Sequence, residues 1–267
     1  MEKANEHMVL PSKKNTKEAF FASLQSNIMP LCPICQDTGL VLNQAGQAMP
    51  CICVAKKQQN KQKRRANLPV VLQQKTFADF QLKYYTTAKK TPEGENFANL
   101  AKKALKGAKD FVKKANSQEP AKGLLLQGNV GSGKTHLAAA IANALLEEGV
   151  DVQFLVVPEF LDDLRATYSE SGRSEALLMQ RAQNAKVLIL DDLGVHNFTP
   201  WTQNRIFSLI NYRVNYNLPF IITTNLNTLD EMSSVIDERT VSRIVEACDI
   251  YRLLTDTDIR LAQHLER

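Results

Sequence analysis

Long apolar runs are missing from this chain of 267 residues. No stretch approaches the ~18–20 consecutive apolar residues of a membrane-spanning helix, which excludes an integral helical membrane protein. The opening segment, Met1 to Lys17, is polar and carries no apolar core of the signal-peptide kind, so a cytoplasmic protein is expected. Aromatic residues are scarce at 7%, with a single Trp, which leaves few side chains to stack on unpaired bases. Lysine all but disappears after residue 122, where only Lys134 and Lys186 occur. Residues 123–267 hold 12 Lys+Arg against 19 Asp+Glu, a net of −7, whereas residues 1–122 hold 21 against 9, a net of +12. A basic front and an acidic back point to a polyanion or an acidic protein meeting the front; the plainer alternative is a lysine-rich face that keeps the protein in solution. The 44% of hydrophobic residues supply a core for one ordinary domain, or for one large and one small.

Cysteine is the most unevenly placed residue. Four of the five fall within 22 residues, as Cys32-Pro33-Ile34-Cys35 and Cys51-Ile52-Cys53. In a chain of cytosolic character such clustering reads as metal ligation before disulfides, and two short-spaced thiol pairs suit the four-coordinate, tetrahedral preference of Zn²⁺. Turn-forming Asp37-Thr38-Gly39 and Gln44-Ala45-Gly46 flank a strand-like Leu40-Val41-Leu42, so a small ribbon is expected. The second pair is tighter than the usual C-x₂-C, which leaves a redox pair or coincidence as alternatives. Cys248 stands apart and reads as a buried core thiol. Ahead of the cluster, Phe20, Phe21, Leu24 and Ile28 fall at near-helical spacing. Behind it lie two basic runs, Lys56 to Arg65 and Lys102 to Lys114, the second on a helical pattern that Gly107 is expected to break. Each is either a solvated helix or a phosphate-backbone contact, with Tyr84 and Tyr85 the nearest aromatics for base stacking. A domain boundary is expected near residues 66–76.

From Gly123 onward, apolar strands at 124–127, 152–157, 187–191, 219–224 and 250–254 alternate with helical patterns, the signature of an α/β domain with a largely parallel sheet. The first strand runs into Gly128-Asn129-Val130-Gly131-Ser132-Gly133-Lys134-Thr135-His136, a G-x-x-x-x-G-K-T phosphate-binding loop at the start of a helix. Backbone N–H groups and the positive end of the helix dipole would cradle the phosphates of ATP. Lys134 would reach the β- and γ-phosphates, and the Thr135 hydroxyl would ligate Mg²⁺. Val187 to Leu190 then leads into Asp191-Asp192, an acid pair at the carboxyl end of a buried strand. Asp191 is the expected Mg²⁺ partner and Asp192 the base that orients the attacking water. Arg239, Arg243 and Arg260 are candidates for stabilising the charge of a transferring phosphoryl group.

The loop G-N-V-G-S-G-K-T-H-L, the strand L-I-L-D-D-L-G, I-I-T-T-N and the helix E-R-T-V-S-R-I resemble the DnaC/DnaI helicase-loader branch of the AAA+ ATPases, whose core the transposition helper IstB shares. C-P-I-C-Q-D-T-G with the later C-I-C is similar to the zinc-bearing front domain of DnaI-like and phage-type loaders, which IstB proteins lack. The resemblance spans residues 31–260. It implies a front domain, residues 1–70, that grips the hexameric replicative DNA helicase through a zinc module on Cys32, Cys35, Cys51 and Cys53. A basic connection over 71–122 and an AAA+ core over 123–267 would follow. It further implies single-stranded DNA binding and self-association through a shared ATP site, in a bacterial or phage protein of the bacterial cytoplasm. Asn225 would be the first sensor of the γ-phosphate, on a strand between the P-loop and acidic strands. Arg243 would be the finger that reaches the neighbouring subunit's ATP, with Arg239 a second candidate, and Arg260 the second sensor within its own subunit. The chain after the fifth strand is too short for the helical lid of most AAA+ proteins, as in other loaders. Asp192 stands where many AAA+ proteins have Glu, so slow hydrolysis is expected. A transposition helper and a zinc-dependent nucleic-acid adaptor with an inert ATPase stay open as alternatives.

Overall fold

A computed structural model of the chain describes residues 30–117, 121–167, 174–195 and 198–266. These residues form two compact units, one ending at Gln58 and one starting at Gln59. The helix expected around Phe20–Ile28 lies outside the described residues. No helix among the described residues is long and apolar enough to cross a membrane.

The first unit is a ribbon. Strand β1 (Leu40–Leu42) pairs antiparallel with β2 (Ala48–Pro50), Leu40 opposite Pro50 and Leu42 opposite Ala48. The expected turn chemistry closes it: the Asn43 side chain accepts from the backbone N–H groups of Ala45 (3.0 Å) and Gln47 (2.9 Å), and Gly46 takes φ 74°. Helix α1 (Ile52–Arg65) follows, carries the first basic run, and buries none of its residues.

In the second unit, helix α2 (Phe97–Asn116) precedes β3 (Gly123–Gln127). There follow α3 (Lys134–Glu147), β4 (Val152–Val156), α4 (Val157–Ala166), α5 (Glu175–Asn184), β5 (Val187–Asp191), α6 (Pro200–Asn215), β6 (Phe220–Thr224), α7 (Leu229–Val235), α8 (Glu238–Ala247), β7 (Cys248–Arg252) and α9 (Ile259–Leu265). The five-stranded sheet is parallel throughout, in the order β4-β5-β6-β3-β7. Alternate residues of each strand enter opposite layers: Leu124 and Leu126 pack with α2 and α3, whereas Leu125 packs with the helices of the other face. Covering both faces is what a parallel sheet requires.

Three expectations need correcting. Val157 starts α4 and does not end β4, because Pro158 suits the first turn of a helix, where its missing N–H is no loss. The last strand begins two residues earlier than expected, at Cys248. Gly107 does not break α2. It sits on the buried face against the Tyr251 ring, where a Cβ would collide with the ring atoms, so the glycine permits close helix–strand packing.

The least expected core residue is Arg213 of α6, with no exposed surface. Its guanidinium donates to the carbonyls of Ala182 (2.9 Å), Gln183 (3.1 Å) and Ala185 (2.9 Å) at the end of α5, and to that of Pro219 (2.7 Å) before β6. The α5 carbonyls are ones that a helix end leaves without intrahelical partners, and the Pro219 carbonyl also accepts from the Leu188 N–H at 3.4 Å. Burial lowers the group to about 9, against the pull of Asp151. Arg213→Leu strands those acceptors, and the expected cost is about 2–4 kcal/mol, a fall in melting temperature of roughly 5–15 °C. A thermal melt that moves by less than a degree would refute the assignment.

Candidate functional site

The P-loop is shaped by its glycines. Gly131 (φ 72°) and Gly133 (φ 87°) hold left-handed conformations that favour glycine. A Cβ on Gly131 would strike the Asp258 carboxyl group, and one on Gly133 would meet the Tyr85 hydroxyl at 2.9 Å. The segment after β7 therefore lies directly on the loop. Asn129 Nδ2 donates to Thr255 O (2.9 Å), Thr255 N–H to Asn129 Oδ1 (3.1 Å), and Ile259 N–H to Gly131 O (3.1 Å). Helix α3 begins at Lys134 with Gly133 as its cap and no capping side chain, so its first amides face the loop ready for an anion.

Lys134 is buried, and its ammonium donates to Gly128 O and Asn129 O, both at 2.8 Å. Burial lowers it to about 8, opposed by Asp192 and Asp191 and assisted by Arg260. Thr135 Oγ1 donates to Asp191 Oδ1 at 3.0 Å. The strand order completes this corner. With β6 between β3 and β5, Thr223 Oγ1 donates to Asp191 Oδ1 (2.6 Å) and accepts from Asp192 N–H (2.9 Å). Burial raises the Asp191 carboxyl to about 6, and Asp192 adds to the rise, while the hydrogen bonds from Thr223 and Thr135 and the charge of Lys134 oppose it. Asp192 takes φ 59°, a left-handed turn at the strand end.

These groups line one cavity of about 580 Å³, within the range of small-molecule sites. Val130 to His136, Asp191, Asp192, Asn225 and Arg260 all border it. Arg243 does not: it sits half-exposed on α8 and pairs with Glu246 at 2.9 Å. Arg239 lies over the Phe207 ring at 4.9 Å, near Asp237. The far wall is a part of the site that the sequence pattern did not reveal. Pro69, Val71, Leu72, Lys75, Asp79 to Gln81, Tyr84 and Tyr85 form it. Helix α3 holds this wall, through Asn143 Nδ2 to Leu72 O and Lys75 O (both 2.9 Å) and through His136 Nε2 to Thr76 O (3.0 Å). Tyr85 is thereby corrected from a surface stacking candidate to a core residue; it is buried and donates to Ser132 O at 2.8 Å. Thr223 was also missed, since a buried Thr gains meaning only when its neighbouring strands are known.

In the first unit, Cys32, Cys35, Cys51 and Cys53 converge, with all four sulfurs within 4.8 Å of one another. Cys32 Sγ lies 3.8 Å from Cys51 Sγ and Cys35 Sγ 3.4 Å from Cys53 Sγ. Sulfurs at the ~2.3 Å bond length of tetrahedral zinc stand about 3.8 Å apart, so the donor set fits that ion. The loop is held by Asp37, whose carboxylate accepts from the N–H groups of Leu31 and Cys32, both at 3.0 Å. Burial raises the Cys35 thiol, yet a backbone hydrogen bond from Gly39 and the neighbouring sulfurs bring it down to about 6. Its hydrogen bond to Cys35 and burial push Cys53 up to about 12. Four thiolates this close need a cation to coexist.

The profile of the family described as IstB-like ATP binding protein matches residues 52–263. The chain belongs to this family. The Replicative helicase loader DnaI of Bacillus subtilis is 34% identical over 119 residues, covering 44% of this chain and 38% of the relative. The Replicative helicase loader DnaC of Escherichia coli K12 is 30% identical over 141 residues, covering 53% and 56%. The matched stretch thus spans about half the length of these relatives or less. The crystal structure of DnaI overlays with a TM-score of 0.57 at 23% identity, over 72% of this chain and 94% of that one, which establishes a shared fold. The cysteine module, apart from Cys53, precedes the family match.

In an IstB-like ATP-binding protein, Lys134 is expected to serve the ligand and not the fold. A lysine held below its usual value carries an unfavourable charge at neutral pH. Lys134→Met is expected to abolish nucleotide binding in a filter assay while leaving the melting temperature of the nucleotide-free protein unchanged or higher. A drop of several degrees would show a structural role instead.

Proposed function

We propose that this chain is an ATPase that loads a hexameric replicative helicase onto single-stranded DNA in the bacterial cytoplasm. The observation that carries the reading is the union, in one chain, of an AAA+ site with paired acids and a four-cysteine module of which Cys32, Cys35 and Cys51 lie ahead of the IstB-like region and Cys53 at its start. The names of the two relatives support it. In this reading ATP enters the 580 Å³ cavity, with its phosphates on the P-loop amides and its base toward the 69–85 wall. Lys134 leaves the carbonyls of Gly128 and Asn129 for the β- and γ-phosphates. Thr135 and Asp191 would hold Mg²⁺, which supplies neutralising charge on the phosphate oxygens. Asp192 orients the attacking water, Asn225 reads the γ-phosphate, and Arg260 contacts the nucleotide of its own subunit. The exposure of Arg243, away from the cavity lining, favours a role across a subunit interface. Cys32, Cys35, Cys51 and Cys53 would hold one structural zinc.

The IstB-like match also favours a second reading, a transposition helper with the same core and a different partner. Affinity capture with the full chain, with and without ATP, separates them: recovery of the hexameric helicase supports the loader, and recovery of a transposase supports the helper. Arg243→Ala is expected to abolish hydrolysis while retaining ATP binding, and mixing it with Lys134→Ala chains should restore part of the activity, since each supplies what the other lacks. Loss of ATP binding in Arg243→Ala would place that arginine in its own subunit's site. Elemental analysis should find about one zinc per chain, and chelation should unfold the ribbon. A metal-free protein with an intact ribbon would end the zinc assignment.

A further inference from the structure

Helix α2 carries a charge pattern that its packing does not account for. Its buried face is formed by Ala98, Leu100, Ala101, Ala104, Gly107, Ala108, Phe111 and Ala115. On the opposite face Lys102, Lys106, Lys109 and Lys113 recur at i, i+4, i+7 and i+11, within about 60° of helical arc and over about 16 Å of axis. All four are exposed. Lys103 and Lys114 form a shorter row beside them, and of the six only Lys103 is in an ion pair among the described residues, with Glu95 at 2.6 Å. The one acid of the helix, Asp110, stands four residues after Lys106 and three before Lys113, in line with Lys103 and Lys114, on the flank toward Tyr251, whose hydroxyl feels its charge together with that of Asp249.

Successive like charges at i,i+3 and i,i+4 destabilise a helix, and a face that serves only solubility mixes both signs. The negative end of the helix dipole accounts for Lys113 and Lys114, in the last turn. It does not account for Lys102, Lys106 and Lys109, which lie in the earlier turns. The ridge is also rigid, because the small residues of the other face seat the helix flush against the core. Four charges at about 5 Å intervals approach the spacing of phosphates along one nucleic-acid strand, about 3.4 Å of axis each in a duplex and longer when the strand is extended. No aromatic residue interrupts the ridge.

We propose that the Lys102–Lys106–Lys109–Lys113 ridge of α2 is a track for the phosphate backbone of a nucleic-acid strand, gripped without contact to its bases. The proposal stands on charge geometry and holds whether or not the chain loads a helicase. The test is fluorescence anisotropy of the full chain on labelled oligo(dT), a mixed-base single strand and a duplex, each across a range of salt. The fourfold Lys→Gln variant keeps the helix, since Gln and Lys have similar helix propensity, and circular dichroism checks this. It is expected to lose at least tenfold in affinity at low salt. Its plot of log K against log[salt] should flatten by about 3 units for single strands or about 4 for duplex; the arm that flattens identifies the form held. The fourfold Lys→Arg variant should keep both affinity and slope, and oligo(dT) and the mixed strand should behave alike. An unchanged slope in the Gln variant on all three arms overturns the proposal. So does a Gln variant that loses binding only to poly-glutamate, which would assign the ridge to an acidic protein surface.

Discussion

The corner where β3, β5 and β6 end depends on one carboxylate. Asp191 is buried and receives hydrogen bonds from Thr135 of the P-loop helix and from Thr223 of the neighbouring strand. The same Thr223 hydroxyl accepts from the Asp192 amide, which sets the second acid in its left-handed turn. A single hydroxyl thus orients both acids, and the P-loop is locked to them through Thr135. Burying an acid this deeply raises its pKa unless charge or hydrogen bonds oppose it. Here they oppose it only in part, and the carboxyl stays above its usual range.

The phosphate loop is braced from two further directions. The segment after β7 hydrogen-bonds to Asn129 and Gly131, and brings Arg260 to the cavity edge. On the other side the 69–85 wall is pinned to α3 by Asn143 and His136, and Tyr85 bonds to Ser132 O. The loop cannot shift without disturbing a neighbour on either flank.

The four-cysteine ribbon is organised on a different principle. It buries few of its apolar residues, since Leu31, Ile34, Leu40, Leu42 and Met49 are exposed, and its core is the sulfur cluster with Val41 beside it. A module of this size needs a metal or disulfides to hold its fold, and the sulfur distances suit a tetrahedral ion.

Most of the second unit was legible in order along the chain. The five apolar strands, the P-loop, the acid pair at Asp191-Asp192 and the cysteine pairs are local patterns, because each depends on residues that are neighbours in sequence. The α/β class followed from their alternation, and the AAA+ strand order only through resemblance. Residues whose roles arise between elements were not legible. Thr223 matters because β6 lies between β3 and β5, and Arg213 because α6 passes the end of α5. Gly107 reads as a helix breaker until Tyr251 is placed against it, and Tyr85 as a surface aromatic until it reaches Ser132. By itself the sequence determined which chemistry the chain carries: phosphate-binding amides, paired acids and clustered thiols. Only the tertiary structure decided which side chains meet, since hydrogen bonds and close packing act over ångströms of space and leave no fixed spacing along the chain.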